Sequence, residues 1–391
     1  MRRIAVFTGT RAEYDLLRPV LLHMRVDHSV EPVVIVSGTH LLTAYGRTAD
    51  AIYADGFSHI DVPLFEENKE IPALYKTMSS ALELYGEVLE GLRPELALVL
   101  GDRYETFCFA LCALTRLVPL AHVHGGELTL GAMDDVFRHC ITKMSLLHFT
   151  SCEEHRARVI QLGEDPGRVW NFGAPGVENA LNLELPSAES VRKELGIRPE
   201  HPFFLCALHP VTLRPGSALA SAHAVLKALD AFPEYDAVFT ASNADPEGRD
   251  ITSLFQQDAR RRPRSRHFFP SLGAVRYLGA AKHSCAVVGN SSSGIIEIPS
   301  LGVPVVDIGA RQAGRVRSEA IIHCEPTEDE ILAALRRALS PEGRQQAMTA
   351  FNPYEGKDTA KRIAEILCRH PLDSGMEKTF FDMPKMQEST R

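Results

Sequence analysis

The sequence predicts an α/β protein with two Rossmann-like domains, each a doubly wound parallel sheet, facing each other across a cleft. Short apolar runs alternate with segments of helical spacing along most of the chain, which is typical of strand–helix–strand units. A second series of such units begins at Phe203, after three closely spaced prolines. The 391 residues suffice for two domains of ordinary size. Two sheets arranged in this way create a cleft between strand ends, where ligands commonly bind.

In the first predicted domain, residues 1–176, every apolar strand is followed by a loop and a helix. A long helix is expected over residues 71–92, and glycines and a proline interrupt the chain at 173–176. The strands are expected at residues 3–7, 32–37, 59–62, 96–100, 117–123, 147–150 and 169–172.

The second predicted domain, residues 177–369, repeats this organisation without repeating the sequence. A helix is expected over residues 327–339, and the five arginines between 260 and 266 are interpreted as a solvated turn. The tail 370–391 is polar and irregular, and it is expected to pack back on the first domain. The strands are expected at residues 203–208, 236–240, 285–288 and 303–308.

Composition narrows the class of protein. Hydrophobic residues at 45% and charged residues at 24% match soluble globular averages. The net charge of −8 argues against a general nucleic-acid binder, although a few local arginines could still hold a small anion. The first apolar run ends too early for a signal peptide, and no run of 18 apolar residues suggests a membrane span. The eight cysteines lack zinc-ligand spacing and are expected to be buried, reduced thiols. A cytoplasmic protein with no nucleic-acid or membrane partner is expected.

Residues 121–139 carry the densest set of reactive side chains, at the end of a predicted strand. They contain three histidines (His122, His124 and His139), three carboxylates (Glu127, Asp134 and Asp135) and Arg138. The aspartates alone could simply favour the start of a helix. Since the carboxyl ends of parallel strands are where α/β sheets bind ligands, the whole set indicates an acid/base site.

Residues 290–294, Asn-Ser-Ser-Ser-Gly, form the best predicted anion site. Hydroxyls and helix-start amides can hold a diphosphate, although the same residues could merely cap a helix. Glu297, one turn further, could reach ribose hydroxyls or just favour the helix start. The turn at Gly9–Arg11 is a weaker anion site. The sequence contains neither a Walker loop nor a GxGxxG fingerprint.

Seven motifs, in this order, resemble those of the hydrolysing UDP-N-acetylglucosamine 2-epimerases. This family branch feeds sialic and legionaminic acid synthesis and includes UDP-N,N'-diacetylbacillosamine 2-epimerase. The resemblance spans residue 4 to about residue 320 and implies the glycosyltransferase-B arrangement of two Rossmann-like domains. The motifs are Gly-Thr-Arg-Ala-Glu-Tyr, Ser-Gly-Thr-His-Leu-Leu, Gly-Asp-Arg, His-x-His-Gly-Gly-Glu, Asp-Asp-x-x-Arg-His, His-Pro-Val-Thr and Gly-Asn-Ser-Ser-Ser-Gly-Ile-Ile-Glu.

The resemblance also implies roles for individual residues. The ligand is expected to be a UDP-linked 2-acetamido sugar, with no metal or cofactor, and the assembly a homo-oligomer (dimer or tetramer). The implied acid/base residues are Asp102, His124, Glu127, Asp134 and His209. The implied substrate-binding residues are Arg11, Ser291, Ser292 and Arg311 for the diphosphate, Glu297 for the ribose, Asn243, Leu272 and Tyr277 for the nucleoside, together with His40, Arg138 and Ser293.

The chain departs from the pattern at one important position. Some members carry a glutamate 22 residues after the aspartate of Gly-Asp-Arg, where this chain has His124. Either His124 or Glu127 must then do the proton work of that glutamate. We expect Glu127 to be essential and His124 to orient it or the substrate.

The expected reaction is elimination of UDP followed by hydration of a 2-acetamidoglycal, which gives a free manno-configured sugar. Two faces of the sugar must exchange protons, so at least two acid/base groups are needed. The alternatives are a non-hydrolysing 2-epimerase, a glycosyltransferase of the same fold and a catalytically silent sensor. The non-hydrolysing motifs Gly-Thr-Arg-Pro-Glu and His-x-Glu-Ala-Gly-Leu-Arg-Thr are absent from the chain. The motifs do not distinguish a hydroxyl from an acetamido group at C4 of the sugar. They also do not distinguish UDP from GDP as the nucleotide.

Overall fold

The structure is a computed structural model that describes residues 1–67, 69, 72–199, 201–243, 247–372 and 375–383. The chain divides into two compact units. The first comprises Met1–Glu127, Val136–Ala174 and Lys357–Arg391, and the second comprises Leu128–Asp135 and Pro175–Gly356. Each unit contains one sheet in which all strand pairs are parallel. The predicted pair of doubly wound parallel-sheet domains is therefore confirmed.

The first unit is built on a seven-stranded sheet of order β3-β2-β1-β4-β5-β6-β7. Its strands are β1 (Arg2–Thr8), β2 (Val30–Val36), β3 (Ser58–Asp61), β4 (Leu96–Leu100), β5 (Leu120–Val123), β6 (Leu147–Thr150) and β7 (Val169–Asn171). Its helices are α1 (Arg11–Val26), α2 (Ala49–Asp55), α3 (Leu74–Leu92), α4 (Tyr104–Thr115), α5 (Asp134–Met144, with its first two residues in the second unit) and α6 (Glu153–Gln161). The predicted start of α3 at Ile71 lies outside the described residues.

The central strands are apolar on both faces because helices cover both faces of the sheet. Every residue of β4 is buried, as expected for a strand inside a doubly covered parallel sheet. Helix α1 begins with a capping box, in which Thr10 and Glu13 each bond to the other's backbone amide. Its buried residues recur every three to four positions, so that one face packs into the core.

The second unit is built on a six-stranded sheet of order β10-β9-β8-β11-β12-β13. Its strands are β8 (Phe203–Ala207), β9 (Asp236–Thr240), β10 (Arg266–Phe269), β11 (Ala286–Gly289), β12 (Val305–Ile308) and β13 (Ile321–Cys324). Its helices are α7 (Pro175–Asn182), α8 (Ala188–Leu195), α9 (Ala218–Asp230), α10 (Gly248–Arg261), α11 (Gly273–His283), α12 (Ser292–Ile296), α13 (Glu328–Leu339) and α14 (Pro341–Thr349).

The interpretation of residues 260–266 as a solvated turn holds for the exposed turn that follows α10 but is wrong for Arg266. The first two arginines end α10, and Arg266 begins β10, a strand that was not predicted. The Arg266 side chain is only 4% exposed and forms ion pairs with Asp230 at 3.1 Å and Asp258 at 3.6 Å. The burial of Arg266 could not be predicted from the cluster of arginines, because it depends on carboxylates that lie on other elements. Strand β13 and helix α14 were also missed.

The last helix, α15 (Thr359–Arg369), belongs to the first unit, although the sequence analysis placed it in the second domain. Its buried residues Ile363 and Leu367 join the same core cluster as α1. The Thr359 hydroxyl donates a hydrogen bond to the Phe172 carbonyl at 2.6 Å. The boundary was missed because its position depends on this packing partner, which lies about 190 residues away in sequence.

The described part of the tail packs on the first unit. The Lys378 ammonium donates to the Ser145 carbonyl at 2.7 Å and to the Glu164 carboxylate at 2.8 Å. The Phe381 amide donates to the Gly163 carbonyl at 2.9 Å. The tail beyond residue 383 lies outside the described residues. All eight cysteines are free, and Cys140 is the exposed one. No helix in the described ranges has the length and hydropathy to cross a membrane.

Candidate active site

A buried histidine–glutamate pair follows β5 in the first unit. The Nδ1 atom of His124 lies 2.6 Å from Oε1 of Glu127, and the two residues are 5% and 1% exposed. The Nε2 atom of His124 is buried and has no hydrogen-bond partner among the residues that the structure describes. Because Nδ1 is engaged with a carboxylate, the neutral ring carries its proton there and Nε2 holds the lone pair. The pair therefore presents a proton acceptor.

The backbone around this pair adopts two left-handed conformations. His124 has φ = 66°, which is uncommon for a residue other than glycine and is often found at functional sites. Gly126 has φ = 80°, and a Cβ atom there would lie 2.3 Å from the His155 carbonyl oxygen. Glycine is therefore required at 126, because the loop packs directly against the backbone of α6.

Asp102, after β4, forms an ion pair with the buried guanidinium of Arg138. Arg138 also donates to the Glu127 carbonyl at 3.0 Å, so it links Asp102 to the loop carrying His124. His122 bonds through Nε2 to the Gly101 carbonyl at 2.8 Å, and burial lowers the pKa of His122 to about 3. The neutral His122 side chain thus fixes the carbonyl of Gly101, the residue before Asp102.

Two residues that the sequence analysis did not single out lie beside Glu127. The Ser151 hydroxyl donates to Glu127 Oε1 at 2.9 Å, and it lies 3.0 Å from Nδ1 of His155. Both residues are at most 1% exposed. The sequence offered no motif for them, because they follow β6 and reach the site only when β5 and β6 pair.

The predicted anion site after β1 is occupied by the chain itself. The Glu13 carboxylate accepts hydrogen bonds from the amides of Gly9 at 2.7 Å and Thr10 at 3.2 Å. Burial raises the pKa of Glu13 to about 7. Arg11, at the first helical position, is partly exposed and lies 3.6 Å from Asp15. Glu13 therefore occupies two amides of the turn, and the Arg11 guanidinium supplies its positive charge.

His40 is fully buried, and both of its ring nitrogens are engaged. Its Nε2 lies 2.9 Å from the Thr8 hydroxyl and its Nδ1 lies 2.8 Å from the Thr48 hydroxyl. Burial lowers the pKa of His40 to about 4. We therefore propose that His40 supports the ends of β1 and β2, in place of the substrate contact that the sequence analysis expected.

The segment Leu128–Asp135, a loop followed by the first two residues of α5, belongs to the second unit. The Leu130 amide donates to the Ala313 carbonyl at 3.0 Å, and the Thr129 amide donates to the Asp135 carboxylate. Asp135 thus closes the loop on itself, in line with the helix-start interpretation. Asp134 is the first residue of α5 and is half-buried, which leaves it as the acid/base candidate of the two aspartates.

In the second unit, His209 follows β8 and is held from both sides. Nδ1 of His209 accepts from the Asn243 amide at 3.2 Å and lies 3.3 Å from the Ser242 hydroxyl. Because the amide can only donate, the neutral ring carries its proton on Nε2. Asn290 brackets the His209 backbone, accepting from its amide at 2.8 Å and donating to its carbonyl at 2.8 Å. Asn290 was part of a recognised motif, but this positioning role was missed.

The remaining predicted residues of the second unit lie beside Asn290, on or next to α12, and at α11. Arg311 donates to the Asn290 carbonyl at 3.1 Å. The Tyr277 hydroxyl lies 2.6 Å from the Ser293 hydroxyl, which is 3.3 Å from that of Ser291, and burial raises the pKa of Tyr277 to about 12. Ser292 is the first residue of α12. Leu272 precedes α11 and is buried, and Glu297 follows α12 with 9% exposure.

Glycines allow close packing around the same strand ends. At Gly289, φ is 141° and a Cβ atom would lie 2.0 Å from the Ala207 carbonyl oxygen. Only glycine fits there, and this lets Asn290 reach the end of β8, where its amide donates to Ala207 at 3.1 Å. The serine motif and His209 are thereby brought to one edge of the second sheet.

Comparison with known proteins is consistent across sequence and fold. A family model described as UDP-N-acetylglucosamine 2-epimerase matches residues 23–368. The polysialic acid biosynthesis protein P7 of Escherichia coli is 35% identical over 392 residues, covering 100% of both chains. GDP/UDP-N,N'-diacetylbacillosamine 2-epimerase (hydrolyzing) of Campylobacter jejuni is 34% identical, covering 98% of this chain and 99% of that protein. The crystal structure of UDP-GlcNAc 2-epimerase from Neisseria meningitidis bound to UDP-GlcNAc matches with a TM-score of 0.77 at 18% identity, covering 94% and 99% of the two chains.

Proposed function

Because the chain belongs to the UDP-N-acetylglucosamine 2-epimerase family, we propose that it is a hydrolysing 2-epimerase acting on a nucleotide-linked 2-acetamido sugar. It would release free nucleoside diphosphate and a free sugar inverted at C2. The observation that carries this proposal is the buried His124–Glu127 pair, which leaves a proton acceptor at the end of β5. The name of the Campylobacter relative, which includes "hydrolyzing", supports the same class of reaction.

The reaction needs a positioned proton acceptor because the C2 proton of the sugar is only weakly acidic, since C2 is not adjacent to a carbonyl. Cleavage of the anomeric C–O bond gives oxocarbenium character and makes the C2 proton acidic. Nε2 of His124 then takes this proton, the C2–H electron pair forms the C1=C2 double bond, and the diphosphate leaves with the C–O pair. The products of this step are a 2-acetamidoglycal, the nucleoside diphosphate and His124 protonated on Nε2.

Hydration of the glycal completes the reaction. Water adds at C1 while a proton arrives at C2 from the opposite face, which needs a second proton-handling group. Asp102, Asp134 and His209 are the proposed candidates for this group. Arg11, Arg311 and the serines at 291 and 292 would stabilise the departing diphosphate, where negative charge accumulates. Asn243, Leu272, Tyr277 and Glu297 would contact the nucleoside, with Ser293 held by Tyr277.

The sugar and the nucleobase belong to the same proposal. The relative from Campylobacter is named for GDP/UDP-N,N'-diacetylbacillosamine, whereas the family description names UDP-N-acetylglucosamine. We propose UDP-linked N-acetylglucosamine or its 2,4-diacetamido-6-deoxy analogue as the substrate, and a cytoplasmic location for the enzyme.

The test is an NMR time course in deuterium oxide with UDP- and GDP-linked forms of both sugars. We expect free manno-configured sugar carrying deuterium at C2, together with the free nucleoside diphosphate. A product that stays nucleotide-linked would indicate a non-hydrolysing epimerase. Free sugar without deuterium at C2 would exclude proton exchange at that carbon and overturn the proposal.

A further inference from the structure

Four buried side chains of the first unit form one continuous chain of hydrogen bonds that ends at His124. The links are His155 Nδ1 to Ser151 Oγ at 3.0 Å, Ser151 Oγ to Glu127 Oε1 at 2.9 Å, and Glu127 Oε1 to His124 Nδ1 at 2.6 Å. None of the four residues is more than 5% exposed. In so buried a site, the position of each proton is set by these partners.

The direction of each hydrogen bond follows from proton counting. A serine hydroxyl has a single proton, and that of Ser151 goes to the Glu127 carboxylate. Ser151 Oγ must then accept from His155, whose proton therefore sits on Nδ1. At the other end of the chain, Glu127 Oε1 accepts from the Nδ1–H of His124 as well.

Ser151 is not needed for the local secondary structure. Cys152, not Ser151, stands at the N-cap of α6. The hydroxyl of Ser151 instead donates to Glu127, in the loop that follows the neighbouring strand β5. Arg158 of α6 also contacts this loop, by donating to the Gly126 carbonyl. Side chains before α6 and in its last turn thus hold a loop in which His124 has a left-handed conformation.

We propose that Ser151 and His155 are positioning residues that fix the Glu127 carboxylate, so that His124 keeps its proton on Nδ1 and presents Nε2 as the proton acceptor. This inference rests on the proposed function for its catalytic meaning, because only a proton transfer makes the state of Nε2 matter. Neither residue contacts the reacting atoms. Both act through Glu127, which accepts hydrogen bonds from Ser151 and His124 on the same oxygen.

The surrounding charges are compatible with this arrangement. Arg138 of α5 and Arg158 of α6 donate to the carbonyl oxygens of Glu127 and Gly126, and Arg138 is also paired with Asp102. His122, on the strand β5 that precedes His124, is held neutral by burial. The cations thus secure the backbone of the loop, and the serine–histidine chain orients the carboxylate within it.

The test combines the tautomer of His124 with steady-state kinetics. The enzyme is labelled with ¹⁵N-histidine, and the His124 signals are identified by their loss in His124→Asn. The variants are Ser151→Ala, His155→Leu and His155→Asn, in which the asparagine amide retains a donor near the position of Nδ1. The matched control is Ser145→Ala, a buried serine of the same unit whose side-chain hydroxyl donates within its own turn, to the Ile141 carbonyl.

In the unaltered enzyme and in Ser145→Ala we expect His124 to be protonated on Nδ1. In Ser151→Ala and His155→Leu the Nε2–H form should appear, kcat should fall roughly tenfold, and KM should stay within about twofold. In His155→Asn, much of the Nδ1–H form of His124 and much of kcat should be retained. An unchanged His124 tautomer in folded Ser151→Ala and His155→Leu would overturn the inference.

The tautomer is read in the absence of substrate, so this experiment does not depend on turnover. If the tautomer shifts as expected but no free sugar is released by the unaltered enzyme, the proposed function fails and the positioning role stands. If free sugar is released and the tautomer does not respond, the proposed function stands and the positioning role fails.

Discussion

The two units each present a histidine at a strand end, and the two histidines are held in opposite ways. In the first unit, His124 donates from Nδ1 to a buried carboxylate, which leaves a lone pair on Nε2. In the second unit, His209 accepts at Nδ1 from the Asn243 backbone amide, which places a proton on Nε2. The same side chain is therefore a proton acceptor in one unit and a proton donor in the other.

The partner of Nδ1, rather than the histidine itself, decides the chemistry. A carboxylate partner stabilises the imidazolium that forms when His124 takes a proton. The backbone amide at Nδ1 of His209 can only donate, so the proton of the neutral ring is presented from Nε2. This difference favours a base role for His124 and a hydrogen-bond donor or acid role for His209. It also reverses the order expected from the sequence, in which Glu127 was essential and His124 secondary.

The largest effect is expected from removing the acceptor nitrogen while keeping its anchor. In His124→Asn, the asparagine amide can still donate to Glu127, but no nitrogen occupies the position of Nε2. Loss of one acid/base group commonly lowers the rate by about 10²–10⁴. Release of sugar and of glycal is measured by NMR, with thermal unfolding as the control for folding. Near-normal turnover in this variant would assign the base to Glu127 or Asp134 instead.

A smaller effect is expected from His209→Asn. The asparagine carbonyl can accept from the Asn243 amide as Nδ1 does, while the Nε2–H donor is lost. We expect kcat to fall roughly 100-fold, at the lower end of the range for an acid/base group, and the affinity for UDP, measured by titration, to stay within about twofold. Arg249→Ala, an exposed arginine on α10, serves as the control for general effects on the second unit. If UDP affinity falls and kcat does not, His209 binds the nucleotide and the comparison between the two histidines breaks down.

Much of the fold and part of the candidate site could be predicted from the sequence. Parallel strands buried on both faces produce apolar runs, so β4 and β9 were located to the residue. The candidate acid/base stretch could be singled out because its residues lie close together in the chain. Ser151, His155 and the role of Asn290 were missed because their contacts arise from strand pairing and from loops far apart in sequence.

Protonation states needed the structure for a different reason. The sequence showed His124 near Glu127 and His209 near no carboxylate, but a tautomer depends on which atoms meet. Likewise, the turn at Gly9–Thr10 looked like an anion site until Glu13 was found to occupy its amides. A helix start rich in donors is open to a ligand only when the chain has not already filled it.

The smallest catalytic effect is expected at a second histidine–glutamate pair, His148 and Glu164, which lies in the same unit. His148 Nε2 is 3.1 Å from Glu164, but Lys143 and Lys378 also bind this carboxylate. Burial alone would raise the pKa of Glu164, and these three hydrogen bonds outweigh it and lower that pKa to about 2. If a histidine–glutamate pair were sufficient for activity, this pair would matter as much as His124 and Glu127. We expect Glu164→Gln to leave kcat within about twofold.

Glu164→Gln should instead lower the free energy of unfolding, by an amount that depends on pH. A carboxylate whose pKa is lowered on folding contributes stability above its unfolded pKa, near 4.5, and loses it as the pH falls towards 2. The variant should therefore lose roughly 2–3 kcal/mol at pH 7, and its difference from the unaltered enzyme should shrink between pH 4.5 and pH 3. Urea unfolding followed by Trp170 reports on the first unit, because Trp170 is the single tryptophan and lies on β7. Glu153→Gln, which breaks an exposed ion pair with Arg156, is the matched control and should cost well under about 1 kcal/mol. A large loss of kcat in folded Glu164→Gln would show that the two pairs are coupled, and that the tail bearing Lys378 takes part in activity.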